Sequence, residues 1–223
     1  MALYDSFAIL RPLSRARPQW VPTCDVRGEG IFLQISEEAI QTWVKSQVVA
    51  RLEHLFFSAH QRWRSIRKLA PQDGYPTMRY VLLHSLAHAL LRQFSLACGY
   101  TTASLRERIY SRPPEGDAEP MAGILLYTAA PDSEGTLGGL VSLGEPQTLG
   151  RHLDQAFEAM RLCTSDPLCA EHPPSGDSLT LHGAACHACL FAPETSCERG
   201  NKYLDRSVLV PTVERDDVAF FPS

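Results

Sequence analysis

Three stretches of the chain place apolar residues at helical spacing. Apolar residues recur every three or four positions over residues 37–68, and Ser36 precedes them as a candidate N-cap. Residues 80–98 are apolar on nearly every face, which predicts a buried central helix that ends just before Gly99. A third amphipathic helix is expected over residues 146–163, with a proline at its first position.

Shorter apolar runs predict strands over residues 31–35 and 122–128. Residues 104–107 have the form of a capping box, which predicts a short helix over residues 104–110. Several helices with few strands indicate an α+β (or α/β) fold, in which helices pack on a small sheet. We expect an N-terminal arm over residues 1–30 and one domain over residues 31–223, with a zinc module at about 163–206.

Composition and charge narrow the function classes. The 223 residues are 44% hydrophobic and 21% charged, which is ordinary for a folded domain, and the formal net charge of −4 excludes a globally basic nucleic-acid binder. The N-terminus lacks the apolar core of a secretion signal, and the most apolar stretch is too short and too polar to span a bilayer. We therefore expect a cytoplasmic protein with no membrane partner.

The seven cysteines carry the strongest chemical signal. Two stand alone, at positions 24 and 98, and five lie within 35 residues: Cys163, Cys169, Cys186, Cys189 and Cys197. A CxxC pair such as 186–189 supplies two thiolates from one turn, and two more complete a tetrahedral zinc site. We expect one structural Zn²⁺, with at least one of the five cysteines outside its ligand set. An iron–sulfur centre and a redox CxxC are the alternatives.

Histidines widen the choice of ligands. Any of three near the cysteines could replace a thiolate: His172, His182 and His187. His84 and His88 share one face of the central helix, and we expect both to be interior side chains bonded to backbone or carboxylate groups. The alternative is a metal-dependent nuclease or phosphodiesterase that combines these two with Asp132 and Glu134.

Arginine dominates the basic residues, since only three of the 21 are lysines. The guanidinium fork suits phosphate, although a GC-rich genome produces the same bias. Five arginines are candidate nucleic-acid contacts: Arg62, Arg64, Arg67, Arg106 and Arg108. The chain has no phosphate-binding loop of the helicase type and no nucleophile elbow, so we expect no catalytic activity of its own.

Six motifs follow one another in a recognisable order: HSLAH at 84–88, SLRERIY at 104–110, YTAAPDSEGTLGG at 127–139, CTSDPLC at 163–169, ACHAC at 185–189 and TSCERGNKYLDR at 195–206. With them, residues 27–210 resemble the MrfA-like zinc-binding domain, a domain at the C-terminal end of superfamily 2 DNA helicases. Within that family they resemble the C-terminal part of the DrmB-type proteins of the DISARM anti-phage system.

The resemblance implies a cysteine-bound zinc and a place in a complex with a superfamily 2 DNA helicase, with DNA contacted through that complex. DrmB-type proteins have a longer N-terminal portion that this sequence lacks, so we expect a stand-alone module, a split gene or a fragment. Functions of that portion are not carried over.

Overall fold

The computed structural model of the chain describes residues 28–99, 101–128, 139–174 and 180–221. Within these ranges the elements are β1 (Gly30–Gln34), α1 (Glu37–Val44), α2 (Gln47–Ile66), α3 (Thr77–Cys98), β2 (Leu105–Tyr110), β3 (Gly123–Thr128), α4 (Gly139–Leu143) and α5 (Pro146–Arg161). The predicted α+β fold, with helices on a small sheet, is confirmed. The sequence beyond these ranges includes most of the predicted N-terminal arm.

The sheet is antiparallel in the order β1-β3-β2, so β3 lies in the middle. The helix predicted over residues 104–110 is wrong, because this segment is strand β2. Its residues alternate between buried and exposed, with Leu105, Glu107 and Ile109 facing the core. That period of two buries one face against α3, and pairing with β3 satisfies the backbone on one edge.

The helix predicted over residues 37–68 is two helices. Ser36 caps α1 as expected, since its Oγ accepts a hydrogen bond from the backbone N–H of Ala39 at 3.3 Å. Ser46 then caps α2 in the same way, accepting from Val49 N–H at 3.3 Å. A serine inside an apolar repeat therefore starts a new helix, because its hydroxyl satisfies an amide that the first turn leaves free.

Helix α3 is the centre of the domain. The sheet strands β2 and β3 contact it, as do α1, α2, α4 and α5. Every residue from 80 to 91 is buried, which explains why this segment is apolar all round. It ends where predicted, at Gly99 in the left-handed conformation with φ +71°. Among the described residues, no helix combines the length and apolarity needed to cross a membrane.

The segment that follows α5 has short 3₁₀ turns in place of long elements, and backbone pairing holds it in position. The N–H of Gly183 donates to Leu204 O at 2.8 Å, and that of Arg206 donates to Ala184 O at 3.0 Å. Glycine is required at position 183, because a Cβ there would lie 2.0 Å from the Asp205 carboxylate. These bonds join the segment before Cys186 to the 3₁₀ turn Arg206–Val208, which contacts α3 and α5.

Candidate metal centres

Four of the five clustered cysteines converge on one point. The Sγ atoms of Cys163 and Cys186 are 3.6 Å apart, those of Cys186 and Cys189 are 3.6 Å apart, and those of Cys169 and Cys189 are 3.7 Å apart. All four sulfurs lie within 4.8 Å of one another. Zinc–thiolate bonds of about 2.3 Å in a tetrahedron imply sulfur–sulfur edges of about 3.8 Å. In the cysteine cluster, as we call these four, these three sulfur–sulfur distances are therefore close to those of a zinc site.

A tight turn presents two of the four sulfurs. The carbonyl of Cys186 accepts hydrogen bonds from the N–H groups of Cys189, Leu190 and Phe191, at 3.0–3.2 Å. This curl brings the Cys186 N–H within 3.2 Å of the Cys189 sulfur, to which it donates. Such N–H···S contacts stabilise a thiolate, which is the form that binds metal.

The other two sulfurs come from the loop after α5. Cys163 follows the helix end, and Cys169 lies in the 3₁₀ turn Pro167–Glu171. Burial raises the pKa of the Cys169 thiol, and the nearby Arg206 guanidinium lowers it, with a net rise to about 11. Burial also raises the pKa of Cys189. A divalent cation supplies the positive charge that lets several thiolates share one buried site.

A second cluster lies in the core, on regular secondary structure. It consists of His84 and His88 on α3, Glu107 on β2, and Cys197 in the C-terminal segment. All four residues are buried, and their ligand atoms lie within 4.8 Å of one another. We call this set the mixed cluster, since it offers nitrogen, oxygen and sulfur. None of the ligand sets predicted from the sequence contains all four residues.

The imidazole Nε2 atoms point into the mixed cluster. His84 Nε2 lies 2.9 Å from Glu107 Oε1 and 3.2 Å from Cys197 Sγ. His88 Nε2 lies 3.4 Å from the same Glu107 oxygen but makes no hydrogen bond to it. The opposite ring nitrogens face backbone carbonyls: His84 Nδ1 is 3.3 Å from Tyr203 O, and His88 Nδ1 is 2.6 Å from Leu190 O.

The members of the mixed cluster shift one another's protonation. Burial lowers the pKa of His84 and the Glu107 carboxylate raises it, with a net rise to about 10. Burial raises the pKa of Glu107, but the adjacent His84 lowers it by more. The net pKa lies well below the usual range of a carboxyl group, so Glu107 stays ionised. Burial raises the pKa of Cys197, and His84, whose Nε2 lies 3.2 Å from the sulfur, lowers it, with a net fall to about 6. The glutamate and the cysteine are therefore the anionic members.

The predicted ligands thus separate in the structure. Cys197 lies in the mixed cluster, apart from the other four clustered cysteines. The three histidines named as possible substitutes belong to neither cluster. The ring centroids of His172 and His182 are 4.5 Å apart in a stacked pair, and His187 lies against Phe191. The expectation that His84 and His88 are interior and bonded to backbone and carboxylate groups agrees with their burial and contacts.

Only two of the four residues of the alternative nuclease site, His84 and His88, belong to the part of the chain that the structure describes. Asp132 and Glu134 lie outside the described residues, and so does Cys24. Glu107 was missed because residues 104–110 were interpreted as a helix. As a strand, the same residues place a carboxylate between two apolar inward positions, and that pattern was the available signal.

A groove at the end of α2 carries cations around a half-buried tryptophan. It encloses about 350 Å³ and includes Trp63, Arg64, Arg199 and Lys202, which we call the basic groove. The guanidinium of Arg67 lies 4.0 Å above the Trp63 ring centroid, and Lys202 Nζ lies 5.6 Å from the same centroid.

The basic groove contains some of the predicted nucleic-acid contacts. Arg64 lines it and Arg67 covers its tryptophan. Arg108 pairs with the groove residue Glu198 at 3.2 Å, with its side chain 62% exposed. Arg106 is exposed on the same face of β2, and Arg62 is exposed on α2.

Comparison with known proteins agrees with the cysteine geometry. Residues 86–190 match the family model described as the MrfA Zn-binding domain. DISARM protein DrmB of Bacillus paralicheniformis is 40% identical over 204 residues, which are 91% of this chain and 35% of that protein. The resemblance to the MrfA-like domain and to DrmB is confirmed. The matched range contains the whole cysteine cluster but neither His84 nor Cys197.

Proposed function

We propose that this chain is a non-catalytic, zinc-binding accessory module of a DNA-handling anti-phage complex. The observation that carries the proposal is the convergence of four cysteine sulfurs within 4.8 Å of one another, inside the range that matches a zinc-binding domain. A site with four protein ligands has no open position for water or substrate, so its zinc stabilises the fold. The ion would hold the loops after α5 against the domain core.

Metal analysis tests the zinc assignment. Single Cys→Ser variants at positions 163, 169, 186 and 189 should each lose one equivalent of zinc relative to the wild-type chain. His187→Ala is the matched control, because this exposed residue lies between the CxxC cysteines and outside the cluster. Iron with visible absorbance, or a zinc content equal to that of the wild type in all four variants, would contradict the assignment.

The nucleic-acid part of the proposal rests on the basic groove. Trp63, with Arg67 over its ring and Lys202 near it, places an aromatic side chain among cations, a combination that many single-strand-binding proteins use. The chain as a whole carries a net charge of −4, so binding depends on this local surface and on partners. Arg199 adds a further cation to the groove and lies over the Tyr80 ring.

Fluorescence anisotropy with a labelled oligothymidylate, and with a duplex of equal length, tests the groove. Lys202→Ala and Arg199→Ala should weaken binding and reduce the salt slope by about 0.7 for each single-strand phosphate that the variant no longer neutralises. Trp63→Ala should cost about 1–3 kcal/mol through the missing stacking surface, with the salt slope little changed. Arg151→Ala, an exposed arginine on α5, is the control. Equal weakening in the control, or no binding at low salt, would contradict this part of the proposal.

The partner we propose is a superfamily 2 DNA helicase, acting in the cytoplasm. The similarity to DISARM protein DrmB supports the partner. The five clustered cysteines, which form no disulfide, support the compartment. Co-expression with the helicase of the same defence system should yield a stable complex on size-exclusion chromatography. Elution of the two proteins separately, with and without DNA, would contradict the partnership.

A further inference from the structure

We infer that the mixed cluster is a second metal site, which binds one zinc ion through His84 Nε2, His88 Nε2, a carboxylate oxygen of Glu107 and the Cys197 sulfur. This ion would be additional to the single structural zinc that the cysteine spacing predicts. The inference does not depend on the proposed function, because it uses four different ligands.

Two orphaned atoms point to a missing ligand. His88 Nε2 and Glu107 Oε2 are fully buried and make no hydrogen bond to any described group. Buried polar atoms in folded proteins nearly always have a partner, because leaving one unsatisfied costs about 1–3 kcal/mol. Here both orphans belong to one cluster whose other donor atoms already converge. A cation at their centre would satisfy both.

The histidines are oriented as metal ligands. A backbone carbonyl only accepts, so the carbonyls of Tyr203 and Leu190 fix the proton on Nδ1 of His84 and His88, respectively. In the neutral ring the Nε2 lone pair is then aimed into the cluster. A hydrogen bond from the other ring nitrogen is the usual outer contact of a zinc-bound histidine.

The sulfur is held in the same manner as in the cysteine cluster. Backbone N–H groups of Arg199 and Asn201 donate to Cys197 Sγ at 3.4 and 3.2 Å. Left-handed backbone at Gly200 (φ +58°) and Asn201 (φ +59°) makes this turn around the sulfur. Glu198 N–H also donates to Glu107 Oε1 at 3.2 Å, so the same loop orients the carboxylate.

The donor set selects the metal. Two imidazoles, one carboxylate and one thiolate suit Zn²⁺, whereas the thiolate disfavours Mg²⁺ and Ca²⁺. One Zn²⁺ balances the charges of Glu107 and Cys197, so the buried site would be neutral. All four ligands are buried, which gives the ion a structural role. The competing arrangement is a metal-free network, in which protons on the histidines balance the two anions.

Native mass spectrometry of the full chain, combined with elemental analysis, separates these arrangements. The wild-type protein should carry two zinc ions. His88→Gln, Glu107→Gln and Cys197→Ser should each retain one, the ion of the cysteine cluster. Cys169→Ser should also retain one, the ion of the mixed cluster. His60→Gln changes a buried histidine outside both clusters and should retain two.

Cobalt replacement identifies which ligands hold each ion, and it works on the wild-type chain even where a variant fails to fold. Two tetrahedral Co²⁺ ions should appear, with thiolate charge-transfer absorption dominated by the cysteine cluster. Cys197→Ser should then lose one tetrahedral ion and only the smaller part of that absorption. One zinc in the wild type, or two zinc ions retained in Cys197→Ser, would overturn the inference. If Cys169→Ser loses only the ion of the cysteine cluster, the result supports the inference.

Discussion

The cysteine cluster and the mixed cluster solve one problem, the placement of four ligand atoms within 4.8 Å, in opposite ways. The first draws its cysteines from residues 163–189, whose described parts are loop and 3₁₀ turn. The second joins positions 84 and 197 and uses a helix, a strand and one turn of the C-terminal segment. We therefore expect the first site to depend on a bound ion for its shape, and the second to be shaped by the domain core.

Replacing a ligand of the cysteine cluster should have the largest effect. Apparent binding free energies for small structural zinc modules are roughly 10–16 kcal/mol, and much of this energy orders the loops themselves. We expect Cys169→Ser to lose amide protection in residues 163–174 and 180–190 while α3 stays protected. Hydrogen exchange measured by mass spectrometry checks this, with His187→Ala as the control. Protection lost equally in α3 would remove the distinction between the clusters.

Replacing Glu107 should have a smaller but substantial effect. Glu107→Gln removes the carboxylate charge that His84 and His88 face, at a cost of about 3–5 kcal/mol for a broken buried pair. We expect the cost as a lower urea midpoint for the whole domain, since α3 and β2 are both core elements. Glu115→Gln, at an exposed site, should leave the midpoint unchanged. A local rather than global loss would show that the core does not shape this cluster.

An ion pair that belongs to neither cluster, Glu37 with Arg79, provides the reference for acid sensitivity. A hydrogen bond from the buried Arg79 guanidinium lowers the pKa of Glu37, so this pair stabilises the fold at pH values above the unfolded pKa of about 4.3. The contribution disappears as the pH falls through the lowered folded pKa.

Glu37→Gln should accordingly cost about 1–2 kcal/mol at pH 7, with the difference from wild type shrinking in acid. Urea unfolding at a series of pH values measures it, and Glu38→Gln, at the adjacent exposed residue, is the control. If the Glu37→Gln difference stayed constant down to pH 2, the ion pair would not be its source.

The smallest expected effect is a gain. Gly150 lies inside α5, and a Cβ there would meet no atom within 4 Å. Gly150→Ala should stabilise the domain by about 0.5–1 kcal/mol, because glycine is a poor helix residue, and metal content should not change. Thermal unfolding with metal analysis measures both. Gly183→Ala is the opposing control, since its Cβ would collide with the Asp205 carboxylate and the change should destabilise.

Sequence reasoning predicted the parts that depend on nearby residues. Helical periodicity located α3 and α5, and Ser36 was a correct N-cap. The four cysteines that converge in the cysteine cluster were among the five predicted ligands, because a CxxC turn and two further thiols lie within 27 residues. These features arise from contacts over short sequence separations.

The sequence does not predict the mixed cluster, because contacts between residues far apart in the chain bring its four members together. The capping-box pattern at residues 104–107 outweighed the alternation that places Glu107 inward, and only pairing with β3 decides between them. Likewise, Cys197 was grouped with its sequence neighbours, although its sulfur meets a histidine 113 positions away. A single sequence contains no signal for that distance.

The hydrogen bond between His88 and the Leu190 carbonyl joins the two clusters and has a consequence for folding order. Leu190 is part of the CxxC turn, whose internal bonds span only a few residues and can form early. The mixed cluster can close only after α3, β2 and the C-terminal segment have docked, since its contacts span up to 113 residues. The mixed cluster would then close last, after the CxxC turn has formed and docked on α3.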